Sequence, residues 1–110
     1  MGGTLIVERE WTFPVAIDEM QIRCRYRRQG RLILQYTVPL EIWSGSNWQP
    51  VLRYDNGHGF CHCDTIHADG SQDKIPVYRG DANANLTWAI DELRANWEVH
   101  QQRFLAEVKS

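Results

Sequence analysis

The sequence predicts an α+β fold, an antiparallel sheet of five or six strands with one long C-terminal helix packed across one face. In the first two-thirds of the chain, apolar and polar residues alternate with a period of two, which is typical of half-buried antiparallel strands. Beyond about residue 84, apolar residues recur at intervals of three and four, as in an amphipathic helix. Strands followed by a helix in a chain of 110 residues favour a single domain over residues 1–110.

The strands are expected over about residues 4–80, divided by turn residues. The clearest is the segment 20–28, in which Met20, Ile22 and Cys24 alternate with polar and basic side chains. Glycine and proline mark the breaks, because glycine adopts positive φ in turns and proline has no donor for a β ladder. The predicted strands are 5–11, 20–28, 32–43, 49–55, 59–67 and 74–78.

The helix is predicted over about residues 84–108. A length of ~24 residues corresponds to ~36 Å, close to the width of a five- or six-stranded sheet at ~4.8 Å per strand, so we expect it to cross one face. Its start is uncertain by one turn, because several residues compete as N-caps. These are Asp81, Asn83, Asn85 and Thr87. The apolar stripe consists of Leu86, Ile90, Leu93, Trp97, His100, Phe104 and Val108.

Composition excludes several classes of protein. No apolar run reaches the ~20 residues of a membrane span, and the first residues do not resemble a signal peptide. The three cysteines include Cys61 and Cys63, which are too close along one strand to bridge each other and are expected to be small core residues. We therefore expect a cytoplasmic protein without a membrane span, a disulfide framework or a cofactor.

The net charge of −2 hides a basic segment. No acidic residue occurs between Glu19 and Glu41, whereas arginines alternate along the predicted strand 20–28. Such a basic stripe is able to contact phosphate, as the substrate-binding part of a nucleic-acid site. The alternative is a solvated strand face that protects a sheet edge from aggregation. The candidate substrate-binding residues are Arg23, Arg25 and Arg27.

The segment 53–67 holds three of the four histidines and the highest density of titratable groups. Asn56-Gly57 predicts a type I′ hairpin turn, which pairs Asp55 with His58. Strand alternation then places Leu52, Tyr54, Cys61 and Cys63 under the helix. The opposite face gathers Arg53, Asp55, His58, Phe60, His62 and Asp64, together with the basic stripe. Because buried charges are costly unless paired, we expect this face to be open to solvent or to a cleft.

Three functions are compatible with this face. The first is RNA cleavage, in which His58 and His62 exchange protons, Arg53 holds the phosphate, and Asp55 and Asp64 orient the histidines. The second is a site for Zn, Mn or Fe built from His58, His62 and Asp64, with Asp55 as a further ligand. The third is a hairpin whose polar face binds a partner protein.

Two other histidines are weaker candidates. His67 lies in or near a turn and is predicted to face away from His62. His100 belongs to the helix stripe and is predicted to be a core or boundary residue with its hydrogen bonds satisfied.

The run 50–70 also resembles a small bacterial family of uncharacterised domains. The shared pattern is P-V-x-R-Y-D-x-x-H-G-F-x-H-x-D-x-x-H-x-D-G, followed by an N-W pair in a C-terminal helix, here Asn96-Trp97. The family is distantly similar to the TumE-like toxins of toxin–antitoxin modules, which are small RNA-cleaving proteins. The resemblance implies a metal-independent, toxin-type endoribonuclease in which Arg53, Asp55, His58 and His62 act together. It also implies RNA, an antitoxin or a second copy of the chain as partners.

Overall fold

The computed structural model describes residues 5–110 as a six-stranded antiparallel sheet with one helix against one face. The elements are β1 (Ile6–Ala16), β2 (Met20–Gln29), β3 (Leu32–Trp43), β4 (Trp48–Asp55), β5 (His62–Ile66), β6 (Gln72–Pro76) and α1 (Ala82–Lys109). The strands lie in the sheet in their chain order, so each hairpin partner is also the sheet neighbour. The predicted α+β fold is confirmed, and the helix begins two residues earlier and ends one residue later than predicted.

The start of α1 is decided by hydrogen bonds that its candidate N-cap residues make. The side chain of Asp81 accepts a hydrogen bond from the Ala84 backbone N–H at 2.9 Å and is therefore the N-cap. Asn83 instead reaches the β2–β3 turn, where its Nδ2 donates to the Arg31 carbonyl at 2.7 Å. The Asn85 Oδ1 accepts from the Arg79 backbone N–H at 2.9 Å. These contacts hold the helix N-terminus against the sheet. Within residues 5–110, no helix has both the length and the apolar character that crossing a membrane requires.

The core lies between α1 and the sheet face that it covers. The alternating side chains of β2 and β3 supply most of the part that comes from the sheet, as their periodicity predicts. The buried sheet residues are Met20, Ile22, Cys24, Tyr36, Val38, Leu40, Ile42, Val51, Leu52, Tyr54, Cys61 and Cys63, and those of the helix are Leu86, Ala89, Leu93 and Phe104. All three cysteines are free thiols in this core. Burial raises the pKa of Cys24 to about 12 and that of Cys63 to about 11, so both are unreactive near neutral pH.

Two polar contacts attach the middle and the end of α1 to the sheet. The Tyr54 hydroxyl donates to Glu92 at 3.0 Å, and His100 Nε2 lies 2.8 Å from the other Glu92 oxygen. This confirms His100 as a boundary residue with a hydrogen-bond partner. Near the helix C-terminus, the Arg103 guanidinium donates to the carbonyl oxygens of Val51 at 2.6 Å and Ile66 at 3.0 Å. Arg103 thus joins α1 to both β4 and β5, the two strands that carry the histidine hairpin.

We expect Arg103→Met to destabilise the protein by about 2 kcal/mol, because two buried carbonyl groups lose a charged donor while the apolar stem is retained. Urea unfolding followed by circular dichroism measures this change, and the midpoint should fall by about 1 M. Lys109→Met is the matched control, since Lys109 lies in the last helical turn and carries the same charge. Equal unfolding midpoints for the two variants would show that the Arg103 hydrogen bonds contribute nothing measurable.

Candidate functional site

The hairpin that carries the histidines has a longer connection than the sequence predicted. β4 and β5 pair Asp55 with His62 and Arg53 with Asp64, so residues 56–61 form a six-residue connection. The predicted two-residue turn with Asp55 opposite His58 is therefore wrong. The reason lies in Asn56, whose side chain accepts from the Tyr36 backbone N–H at 2.8 Å and donates to the Leu34 carbonyl at 3.3 Å. These bonds tie Asn56 to the end of β3, and Asn56 begins the turn instead of lying at its centre, since its carbonyl accepts from the Gly59 backbone N–H at 3.0 Å.

The strand residues of the hairpin lie on the predicted faces of the sheet although the pairing register differs from the prediction. Connections of two and six residues are both even, so the strand residues keep their faces although the register moves by four. Arg53, Asp55, His62 and Asp64 accordingly lie on the face opposite α1. Cys61 and Cys63 lie in the core with Leu52 and Tyr54, as predicted.

His58 and Phe60 do not belong to a strand but cover the side chain of His62. The His58 ring stacks on the His62 ring at a centroid distance of 5.7 Å, and the Phe60 ring meets it edge-on at 5.8 Å. His58 is exposed to solvent, whereas His62 and Asp64 are each only 1% exposed. The expectation of a fully open face is therefore wrong at these two residues. Two aromatic rings from the connection exclude water from a position that the sheet alone would leave accessible.

The buried carboxylate of Asp64 is paired with two cations. Arg53 Nη2 donates to Asp64 Oδ2 at 3.0 Å, and Arg53 Nε lies 3.5 Å from Asp55 Oδ2. On the other side, the Lys74 ammonium lies 3.4 Å from Asp64 Oδ1. Together these four side chains carry two negative and two positive charges, which offsets the cost of burying them.

Lys74 is the site residue that the sequence analysis missed. β6 pairs Lys74 with Asp64, directly across from β5. The sequence contains the signal, because a hairpin centred on the turn residue Asp69 places Lys74 opposite Asp64 and on the same face. Without the pairing across this turn, Lys74 is only the first residue of the predicted strand 74–78.

The Nε2 atom of His62 is the point on which the cluster converges. It lies 3.0 Å from the Lys74 ammonium, 2.9 Å from Asp55 Oδ1 and 3.7 Å from Asp64 Oδ2. One ligand atom each from Asp55, His62 and Asp64 lies within 4.8 Å of the other two, so these residues are able to hold a metal ion. His58, which the sequence analysis placed in the metal set, stacks on His62 and is not part of this group.

Two atoms of the cluster have no hydrogen-bond partner within residues 5–110. They are His62 Nδ1 and Asp64 Oδ1, and both are buried. Each buried atom without a partner costs roughly 1–3 kcal/mol. A network that served only stability would be expected to satisfy these atoms, so the arrangement is typical of a functional site.

The basic stripe lies on the same face as this cluster but is largely neutralised. Arg23 contacts Glu10 at 3.3 Å and Glu41 at 3.2 Å, and the charge of Glu41 raises the pKa of Arg23. Arg27 lies 3.7 Å from Glu8. Within residues 5–110, Arg25 makes no ion pair, and it is exposed.

Arg25 is also the stripe residue that is aligned with the histidine. The registers place Arg25 opposite Thr37, Thr37 opposite Asp55, and Asp55 opposite His62, in one row across four strands. A cavity of about 300 Å³ lies next to this row. Its lining residues are Glu8, Arg25, Tyr26, Arg27, Gln35, Tyr36 and Thr37.

His67 forms a separate contact at the far end of β5. Its Nδ1 lies 2.8 Å from Glu107 and its Nε2 lies 2.7 Å from Asp73, so it connects the β5–β6 turn to the end of α1. Only the doubly protonated ring is able to donate to both carboxylates. These hydrogen bonds, Asp73 first, raise the pKa of His67. The hydrogen bond from His67 lowers the pKa of Glu107.

The chain belongs to the family described as a domain of unknown function, DUF7718, whose model matches residues 7–110. This agrees with the predicted membership of a small family of uncharacterised domains. The match extends beyond the histidine segment and includes β2 to β6 and α1 in full. No curated protein and no solved structure matches the chain.

We expect His67 to titrate above the ordinary histidine value of about 6.5 in an NMR titration of the ring protons. Because the folded-state pKa is raised, protonated His67 stabilises the fold below the unfolded pKa, and this contribution is lost as the pH rises through the folded value. Glu107→Gln replaces a charged acceptor by a neutral amide and should lower the pKa of His67. Glu98→Gln, a charge-matched change elsewhere on the exposed surface of α1, should leave it unchanged. A wild-type pKa at or below 6.5 would contradict the proposed pairing.

Proposed function

We propose that the protein is a metal-independent endoribonuclease of toxin type that cleaves single-stranded RNA at the cluster around His62. The observation that carries the proposal is the position of His62, which lies between the Asp55 carboxylate and the Lys74 ammonium with a second histidine stacked on its ring. The likeness of the segment 53–62 to TumE-like toxins points to the same reaction class.

RNA cleavage of this kind requires two proton transfers. A base takes the proton of the 2′-hydroxyl, the 2′-oxygen bonds to phosphorus, and the bond from phosphorus to the 5′-oxygen breaks as an acid protonates that oxygen. The products are a 2′,3′-cyclic phosphate and a 5′-hydroxyl. A histidine pair supplies both groups near neutral pH, because neutral imidazole accepts a proton and imidazolium donates one.

His62 is the base in this proposal. Its Nε2 can either donate to Asp55 or accept from Lys74, but it cannot do both at once. When Lys74 turns towards the substrate, the Nε2 proton faces Asp55, and the unpartnered Nδ1 is left with a free lone pair that takes the 2′-hydroxyl proton. Asp55 then stabilises the imidazolium, and its own position is held by a hydrogen bond from the Gly57 backbone N–H at 3.0 Å. The exposed His58 protonates the leaving oxygen.

The remaining charges divide into phosphate-binding and positioning groups. Lys74 is 47% exposed and able to turn outwards, so it is assigned to the developing charge on the phosphate. Arg25 binds a neighbouring phosphate along the same row of the sheet. Arg53 contacts both Asp55 and Asp64, so we assign it to positioning rather than to the phosphate role expected from the sequence. Arg23 and Arg27 contribute less to substrate binding, because glutamates already pair with them.

Access to His62 requires movement of residues 57–60, the part of the connection between the anchored Asn56 and the buried Cys61. His58 and Phe60 cover His62 by ring contacts, and nucleobases are able to replace such contacts by stacking on the same aromatic groups. Gly59 adopts φ +88 with open space around the position of a Cβ, so the connection is not packed against neighbouring atoms there. Single-stranded RNA is the substrate class that presents both unstacked bases and accessible 2′-hydroxyls.

An interaction domain is the second candidate function, favoured by the two edge strands. Every residue of β6 is exposed, and Ile6 and Trp11 on β1 are 50% and 39% exposed. An edge strand offers unpaired backbone groups to another chain. The partner in this case is an antitoxin or a second copy of the protein.

Purified wild-type protein should cleave single-stranded RNA in the presence of EDTA and should leave the matching oligonucleotide with 2′-deoxyribose intact. His58→Ala should lower the cleavage rate by about 10²–10⁴-fold, the usual contribution of a general acid. His67→Ala is the matched control, because it removes a histidine that lies outside the cluster, and it should keep the wild-type rate. Circular dichroism establishes that each variant is folded. Asp55→Asn tests the role of His62 as the base without removing its buried imidazole.

Expression in a bacterial host extends the test to the toxin role. Wild-type protein should arrest growth with loss of intact RNA, and His58→Ala should do neither. Intact RNA with wild-type protein both in vitro and in the host would overturn the nuclease proposal, and so would cleavage that persists in folded His58→Ala. Co-purification of one stoichiometric partner with non-toxic wild-type protein would instead establish the interaction domain.

A further inference from the structure

We propose that Asp55, His62 and Asp64 form a binding site for a first-row transition-metal ion such as Zn²⁺, and that Lys74 competes with the metal for this site. The proposal has a second part, which rests on the proposed function: the bound metal inhibits RNA cleavage. The first part concerns binding alone and does not depend on any activity.

The distances between the candidate ligand atoms suit a small metal ion. Zinc bonds to histidine nitrogen and carboxylate oxygen at about 2.0–2.2 Å, so neighbouring ligand atoms lie about 3.0–3.5 Å apart. The Asp55 Oδ1 to His62 Nε2 distance is 2.9 Å, and the His62 Nε2 to Asp64 Oδ2 distance is 3.7 Å. The ligand atoms of Asp55 and Asp64 lie within 4.8 Å of each other, so all three ligands surround one point that a single ion is able to occupy.

The cluster also needs a proton or a cation at this point. Asp55 Oδ1 and His62 Nε2 face each other at 2.9 Å, and two such atoms repel unless a proton or a cation lies between them or close by. The Lys74 ammonium supplies that cation, because it donates to His62 Nε2 at 3.0 Å. The ammonium does not satisfy the whole cluster. It lies 3.4 Å from the buried Asp64 Oδ1, but this oxygen has no hydrogen-bond donor.

Lys74 is able to turn outwards when another cation replaces it. Its side chain is 47% exposed on the edge strand β6, whereas the Asp64 side chain beneath it is only 2% exposed. A metal ion that enters as Lys74 turns outwards replaces one positive charge by two, and it bonds directly to His62 Nε2, which the ammonium only contacts. Arg53 remains paired with the carboxylates and orients them, in the manner of an outer-shell partner of a metal site.

The donor set selects the class of metal. Magnesium and calcium prefer sites made of oxygen atoms alone, whereas an imidazole nitrogen favours zinc and its first-row neighbours. Three protein ligands leave the remaining coordination positions to water, as in an open zinc site.

Inhibition follows from the chemistry of the imidazole ring. A metal bound at Nε2 leaves the proton of the neutral ring on Nδ1, and this is the atom that takes the substrate proton in the proposed reaction. Lys74 is also displaced from both His62 and the phosphate. Zinc should therefore stop cleavage without blocking the basic row at Arg25.

Calorimetric titration with Zn²⁺ tests the binding. Lys74→Met should bind one Zn²⁺ at least about tenfold more tightly than wild type, because a competing charge close to the site is removed. Lys109→Met removes the same charge elsewhere and should bind as wild type does. The double variant Lys74→Met/Asp64→Asn, checked for folding by circular dichroism, should lose the tight binding. Mg²⁺ should not replace Zn²⁺ in any of these proteins.

Equal affinity in wild type and Lys74→Met would overturn the proposal, and so would tight binding that survives Asp64→Asn. The cleavage assay tests inhibition independently of the calorimetric titration. RNA cleavage by the wild-type protein should fall as Zn²⁺ is added. Tight zinc binding by Lys74→Met together with no RNA cleavage by any variant would establish the metal site and refute the proposed nuclease. Cleavage by wild type that is unaffected at saturating Zn²⁺ would refute inhibition.

Discussion

The pairing of Asp55 with His62 across β4 and β5 is the constraint on which the rest of the site depends. It places Arg53 opposite Asp64, two residues further along each strand. Through β3 and β2 it also places His62 in one row with Arg25. Asn56 holds this register, because its amide is bonded to the backbone of β3 on both its donor and its acceptor side. With this register, six residues remain in the connection, and two of them, His58 and Phe60, place their rings over His62. The register of β4 and β5 therefore determines both the burial of His62 and the pairing of the charges around it.

The two faces of the sheet perform different tasks. Against α1, the packing is apolar. Hydrogen bonds of Asn83 to the β2–β3 turn and of Arg103 to β4 and β5 attach the two ends of the helix to the sheet. Within residues 5–110, the opposite face carries no helix, and side chains from one connection and one edge lysine cover its polar cluster. A rigid face and a lightly covered face in the same sheet allow the cluster to open without disturbing the core.

Charge balance explains how His62 and Asp64 are buried at all. Arg53 and Lys74 neutralise the two carboxylates, which removes most of the cost of taking them out of water. The compensation is incomplete at His62 Nδ1 and Asp64 Oδ1, and these unsatisfied atoms mark where a proton, a substrate group or a metal ion would be accommodated. The same imbalance underlies both the nuclease proposal and the competition between zinc and Lys74.

The sequence by itself determined the order and type of the elements and the face on which the strand residues of the histidine hairpin lie. Strand alternation and helix spacing are local properties, and the parity of a β-hairpin is unchanged when its connection lengthens from two to six residues. Asp55, His62 and Asp64 were therefore grouped correctly although the register was wrong.

Only the tertiary structure decided which of those side chains meet. The register depends on hydrogen bonds between Asn56 and β3, twenty residues away in the chain, and a local turn preference does not contain them. The burial of His62 depends on rings from the connection, and the neutralisation of Arg23 depends on Glu10 and Glu41 from two other strands. Long-range pairing of this kind is set by the whole sheet, so alternation along one strand identifies a face but not the neighbours across it.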